Sequence, residues 1–146
     1  MRKLTPQADN RCFGCGAANP RGMMLEFESD EEQKRIVGRF RIPAAYQGGP
    51  GFLHGGIIAL LLDEAMGKVS RFSGVRAVTA ELNVEYKRRV PVETEIVVEA
   101  FQVEQNGRSL VYAGEIRDAG GRVLAKGRGR FVVVDREEYA KKLAKM

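Results

Sequence analysis

The chain holds one histidine and two cysteines in 146 residues, a scarcity that removes whole classes of chemistry. Tetrahedral zinc asks for about four nitrogen, sulfur or carboxylate ligands. Cys12 and Cys15, in "CFGCG", have only the distant His54 to complete such a set, so no metal site within one chain is expected. The pair reads as a tight glycine-containing turn with two small, partly buried thiols, with zinc shared between subunits or a redox couple as the alternatives. Long apolar runs are missing too. No segment approaches the roughly 20 apolar residues of a membrane span, and no apolar stretch follows the basic residues of "MRKLTPQADNRCFGCG". The expectation is a cytoplasmic protein that uses no membrane. Repeats and low-complexity segments are absent, and no aromatics interleave with the basic residues, which argues against a nucleic-acid platform.

What is present suits a single domain over residues 1–146 with a sizeable core. Lysine and arginine number 24 against 19 acids, a net charge of +5, so the surface attracts anions such as a phosphorylated small molecule. The first 20 residues, rich in Pro, Gly, Asn and Cys, read as an irregular arm. "MMLEFES" and "RIVGRFRI" follow as short strands, then the Pro/Gly loop "PAAYQGGPGF". A helix starts near His54 and ends at Phe72 or Ser73, before Gly74. "VTAELNVEYK" alternates Val78, Ala80, Leu82, Val84 and Tyr86 on an apolar face against Thr79, Glu81, Asn83, Glu85 and Lys87 on a polar one. "EIVVEAFQVE", "RSLVYAGEIR" and "RVLAKGRGRFVVVD" are joined by turns at Asn106-Gly107 and "DAGG", and so form an antiparallel meander. Residues 136–146 read as a short charged helix. Two strands, one long helix and four strands make an α+β domain in which six antiparallel strands curl around a helix that is apolar on nearly every side.

That helix carries two acids in its apolar run, "GFLHGGIIALLLDEAMG". Glu64 is accounted for by Lys68 four residues on, the favourable orientation for a surface pair worth a few tenths of a kcal/mol. Asp63 has no such partner. Its helical neighbours are Gly56, Ala59, Gly67 and Ser70, a face of small residues that lets a ligand or another backbone come close. Glycine inside a helix costs about 1 kcal/mol relative to alanine, and an unpaired buried carboxylate costs more or shifts its pKa.

At the helix start, Gly55 and Gly56 follow His54 and leave backbone N–H groups unshielded and without intrahelical acceptors. With the helix dipole, they form a ready site for an oxyanion or a polarised carbonyl. Eight residues separate Gly55 from Asp63, which is about 12 Å along the axis, too far for both to serve one reacting carbonyl from one helix. Two copies packed about a two-fold axis would bring the start of one helix beside the acid of the other. A homodimer with composite sites is therefore expected, with further pairing into a tetramer left open.

"HGGIIALLLDEAMG" followed by "VTAELNVEYKRRVPV" resembles the hotdog-fold acyl-CoA thioesterases, in the branch of phenylacetyl-CoA thioesterase and the mammalian THEM-type enzymes. The likeness runs from Cys12 to Val134, and "CFGCGAANPRGMML" resembles the N-terminal arm of bacterial members. It implies hydrolysis of a small or medium acyl- or aryl-acyl-CoA, with no cofactor because coenzyme A belongs to the substrate. The Gly55 N–H would polarise the thioester carbonyl, with Gly56 beside it and His54 shaping the turn. The partner's Asp63 would act as base or nucleophile, and Thr79 would orient the water. Lys87 and Arg88 match basic positions near the coenzyme A phosphates. Some members carry Asn where this chain has Gly48, and Gln47 is the amide that stands closest to that position. The alternative is a hotdog protein that binds acyl-CoA without catalysis; a mere binder has little use for Asp63 in an apolar helix.

Overall fold

A computed structural model describes residues 1–135 and, beyond them, Glu137, Lys141, Ala144 and Lys145; the helix expected over 136–146 lies largely outside the described residues. The elements are β1 (Arg2–Lys3), β2 (Glu28–Asp30), β3 (Arg35–Arg41), α1 (Gly55–Lys68), β4 (Ala77–Tyr86), β5 (Glu95–Asn106), β6 (Ser109–Asp118) and β7 (Val123–Val133). They form one antiparallel sheet in the order β1-β2-β3-β5-β6-β7-β4, so among the described residues β4 pairs with β7 alone and its outer edge is open.

The sheet has seven strands where six are expected. The seventh is β1, two residues of the presumed irregular arm that pair with Ser29 and Glu28, too short a run for any periodicity to announce. The strand expected in "MMLEFES" shrinks to its end because Met24 turns to φ 50°. Its neighbours bond to the arm instead, Met23 N–H to Phe13 C=O and Leu25 N–H to Gly14 C=O. The meander β5-β6-β7 forms as expected, with Gly107 at φ 59° and Gly121 at φ 85° in its two turns.

Along β5, Ile96, Val98 and Ala100 are buried, whereas Glu99 lies on the opposite face and pairs with Arg35 and Arg117. Period-two alternation thus gives the sheet one apolar face, and α1 packs on it against β3 through β7. Leu61, Leu62, Ala65 and Met66 of the helix are wholly buried, each large side chain contributing about 1.5–3 kcal/mol. The helix sits close because two glycines lie directly opposite one another beneath it, Gly114 in β6 and Gly127 in β7. A Cβ at Gly127 would come within 3.2 Å of Met66 and 3.3 Å of Leu62; one at Gly114 would lie 3.0 Å from the Glu99 carbonyl and 3.3 Å from Leu62.

The α-helix ends at Lys68 and continues as a 3-10 segment, Val69–Ser73, closed by Gly74 at φ 66°. Ser70 Oγ bonds back to the Gly67 carbonyl, a bond that competes with α-helical pairing. No helix among the described residues is long and apolar enough to cross a membrane.

The arm docks on α1 beside Glu64. Cys12 S–H donates to Glu64 Oε1 at 3.3 Å, and Lys68 Nζ lies 3.3 Å from Glu64 Oε2 with both side chains about 15% exposed. The expected surface pair is therefore largely covered, and Glu64 has a second partner 52 residues away. Burial pushes the Cys15 thiol up to about 11, Glu64 adding to the rise and Lys68 opposing it.

Replacing Gly114 with Val should overpack the seat of the helix and lower stability by about 1–3 kcal/mol. The urea midpoint checks this, and a Leu62→Ala background should recover part of the loss. An unchanged midpoint would mean that α1 does not sit this close to the sheet.

Candidate active site

Asp63 lies on the flank of α1 that the sheet leaves partly open, where Gly67 and Ser70 of the same face keep the helix thin. It lines a cleft of about 1270 Å³ together with Gly67, Ser70, Val78, Thr79 and Phe131. Thr79 Oγ1 donates to Asp63 Oδ1 at 2.7 Å, and Oδ2 carries no bond among the described residues. Burial raises the Asp63 pKa above the ordinary aspartate value; the Thr79 bond opposes that rise and the charge of Glu64 adds to it. The carboxylate is thus partly desolvated, held by one hydroxyl, and open to the cleft.

Thr79 reaches Asp63 because β4 is not a regular strand. Tyr86, seven residues on, also bonds to α1, its hydroxyl donating to the Gly55 carbonyl at 2.9 Å. In an unbroken strand residues seven apart point to opposite faces. The register with β7 shifts between Thr79 and Glu81, so a bulge at Ala80 inverts the phase and lets both side chains face the helix. Simple alternation assigns Thr79 to the polar face, and the bulge is the reason it lies elsewhere.

At the other end of α1, His54 is the N-cap, and its Nδ1 accepts the Gly56 N–H at 2.8 Å. Of the two glycine amides only the Gly55 N–H remains without an acceptor among the described residues. Gly48 packs against His54, a Cβ there falling 3.2 Å from His54 Cα. Gln47 Oε1 accepts from Gly51 N–H at 3.0 Å, so that amide oxygen braces its own loop. Lys87 pairs with Glu85 at 2.8 Å, and Arg88 is exposed.

The expected residues therefore fall into two groups within one chain. Asp63 and Thr79 share a cleft, whereas His54, Gly55, Gly56, Gln47, Lys87 and Arg88 do not line it. The sequence reading missed Tyr86, which alternation placed merely among buried residues, and the basic rim of Lys68, Arg71, Arg76 and Arg108 around the Asp63 cleft. No motif marks that rim, since its members come from the helix end, the following loop and a distant hairpin.

The family model of the Thioesterase superfamily matches residues 50–125. The acyl-coenzyme A thioesterase THEM4 of Bos taurus is 32% identical over 110 residues, which are 75% of this chain and 45% of that protein. The chain thus spans less than half the length of that relative. Among solved structures, a thioesterase superfamily protein superposes with a TM-score of 0.72 at 31% identity, covering 77% of this chain and 57% of that one. A Streptococcus mutans protein bound to acetyl CoA superposes with a TM-score of 0.70 over 75% of this chain and 88% of that one. Its identity is 21%, a likeness of fold alone.

An NMR titration of the Asp63 carboxyl should give a midpoint above the ordinary aspartate value. Thr79→Val should move the midpoint further up, because the bond that favours the charged form is then gone. A downward shift in Thr79→Val would show that the hydroxyl does not hold the carboxylate.

Proposed function

The chain is a hotdog-fold member of the thioesterase superfamily, and from that premise we propose that it hydrolyses the thioester of a small or medium acyl- or aryl-acyl-CoA. The observation that carries this reading is Asp63, a half-buried carboxylate bonded to Thr79 at the wall of a cleft, on the same helix whose start offers a Gly55 N–H unengaged among the described residues. Thioester hydrolysis asks for two things, a base for water and a donor for the oxyanion. A positioned base contributes about 10²–10⁴-fold, and a preorganised donor about 2.7–4 kcal/mol.

In the proposed reaction Asp63 Oδ2 takes a proton from water as the water oxygen adds to the carbonyl carbon. Thr79 holds the carboxylate, and the oxyanion faces a Gly55 N–H at a helix N-terminus. Collapse of the tetrahedral intermediate breaks the carbon–sulfur bond, and the departing sulfur takes the proton held by Asp63, giving free acid and coenzyme A. His54 fixes the turn by accepting from Gly56, and Tyr86 anchors the Gly55 carbonyl so that the opposite side of that turn keeps its donor. Lys87 and Arg88 give the phosphates a basic surface near the helix start.

Gly55 and Asp63, about 12 Å apart along one helix, serve one carbonyl only if they come from different chains. The open edge of β4 supports that reading. It exposes Val78 and Leu82 at 37% and Tyr86 at 55%, and an unpaired apolar edge is a template for pairing with another chain. We therefore propose a homodimer with two composite sites.

Purified protein should release thiol from an acyl-CoA panel, and Asp63→Asn should lower kcat by about 10²–10⁴-fold with the dimer intact. Activity should fall as pH drops through the raised pKa of Asp63, since only the carboxylate accepts the proton. The composite site has its own test. Gly55→Pro removes one N–H at the first helical position, where proline is tolerated, and His54 already has the extended φ −60°, ψ 137° that must precede it. Unfolding and refolding an equal mixture of Asp63→Asn and Gly55→Pro should restore about a quarter of wild-type activity, one intact site in half of the dimers. Activity no greater than the sum of the two variants would overturn the composite site.

A further inference from the structure

Three metal-ligating groups meet where the arm docks on α1. Cys12 Sγ, Cys15 Sγ and a Glu64 carboxylate oxygen all lie within 4.8 Å of one another, and the Cys12 Sγ to Glu64 Oε1 distance is 3.3 Å. Ligands bound tetrahedrally to zinc, at about 2.3 Å for sulfur and about 2.0–2.2 Å for oxygen, stand roughly 3.5 Å apart. One edge of the tetrahedron is therefore already at its working length. We propose that Cys12, Cys15 and Glu64 bind a zinc ion that clamps the N-terminal arm to the central helix, with a water from the cleft as the fourth ligand.

The turn is built around this convergence. Gly16 N–H donates to the Cys12 carbonyl at 2.8 Å, and a Cβ at Gly16 would fall 2.4 Å from Cys12 N, so only glycine closes the loop after the second cysteine. Gly14, between the thiols, faces Glu64 itself, and a Cβ there would lie 2.5 Å from its Cδ and Oε1. Asn10 works on both cysteines, its Oδ1 accepting from Cys12 N–H at 2.9 Å and its Nδ2 lying 3.8 Å from Cys15 Sγ. Outer partners of this kind orient ligands and tune a metal. Two half-buried thiols in a turn would account for the turn alone. Neither they nor the Lys68 pair of Glu64 explains why all three ligand atoms converge on one point, with Gly14 leaving room for the carboxylate.

The charges and donor types also fit. Two thiolates and a carboxylate around Zn²⁺ leave one negative charge, and Lys68 Nζ, 3.3 Å from Glu64 Oε2, offsets it while leaving Oε1 to the metal. Binding replaces the two S–H bonds by two Zn–S bonds and releases two protons, with no change of oxidation state. Soft sulfur donors with one oxygen select zinc over magnesium or calcium. All three ligands line the cleft, which leaves the fourth position open to water.

The test uses the full chain, reduced and stripped with a chelator, and reads metal alone. Zinc should bind at one ion per chain and protect both thiols from a thiol reagent. Cobalt(II) in its place should give the intense near-ultraviolet thiolate-to-cobalt band. Cys12→Ser and Cys15→Ser should each weaken zinc binding by about 100-fold or more, and Glu64→Gln by about 10-fold or more. Cobalt binding without a thiolate band, thiols that stay reactive under zinc, or equal affinity in Cys12→Ser and wild type would each overturn the site. Circular dichroism checks the variants; if a cysteine variant does not fold, the wild-type cobalt spectrum and thiol protection decide alone. None of these readouts involves thioester hydrolysis, so the clamp and the proposed enzyme activity stand or fall separately.

Discussion

Burying α1 brings Asp63 and Glu64 out of water along with it, and an unpaired carboxylate in such surroundings costs several kcal/mol. The rest of the molecule answers that cost differently for the two acids. Glu64 is neutralised by Lys68 and bonded by Cys12, so its charge is absorbed into the docking of the arm. Asp63 receives one hydroxyl bond and, among the described residues, no cation; burial raises its pKa and it keeps an open side. Adjacent residues of like charge thus acquire different surroundings, one tied to the arm and the other open to the cleft.

The Thr79 bond depends in turn on a single irregularity. Without the shift between Thr79 and Glu81, β4 would present either Thr79 or Tyr86 to α1, and one end of the helix would lose its contact. The bulge couples the two ends, since the strand that steadies Asp63 also anchors the Gly55 carbonyl. Anything that slides β4 by one residue along β7 therefore disturbs both contacts with α1, which is why an edge strand with exposed Val78 and Leu82 needs its register fixed.

Local patterns carry much of this into the sequence. The glycine turn at Asn106-Gly107, the start of α1 at His54 and the stop at Gly74 are all written in a few neighbouring residues, and so is the small-residue face around Asp63; the change from α-helix to 3-10 turn after Lys68 is not. What local patterns do not carry are contacts over long separations. Glu64 looks like a surface acid because the Cys12 that covers it is 52 residues away. Gly127 and Gly129 in the last strand suggest a bulge or a close approach to another chain; for Gly127 the neighbours are Leu62 and Met66 of the chain's own helix, which needs the sheet to be assembled first. Thr79 is misassigned because a bulge breaks the period that alternation assumes. The two-residue β1 leaves no pattern at all.

The division of the site also follows from helix geometry. A shorter spacing between the glycine turn and the acid would let one chain attempt the reaction alone, but the donor and the base would then compete for the same small opening. Spacing them by about 12 Å instead puts the donor where the dipole is strongest and the base where the helix is thinnest and half-covered by β4. In the proposed dimer a second helix joins them, and the open apolar edge of β4, next to both Thr79 and Tyr86, is where a second copy would approach.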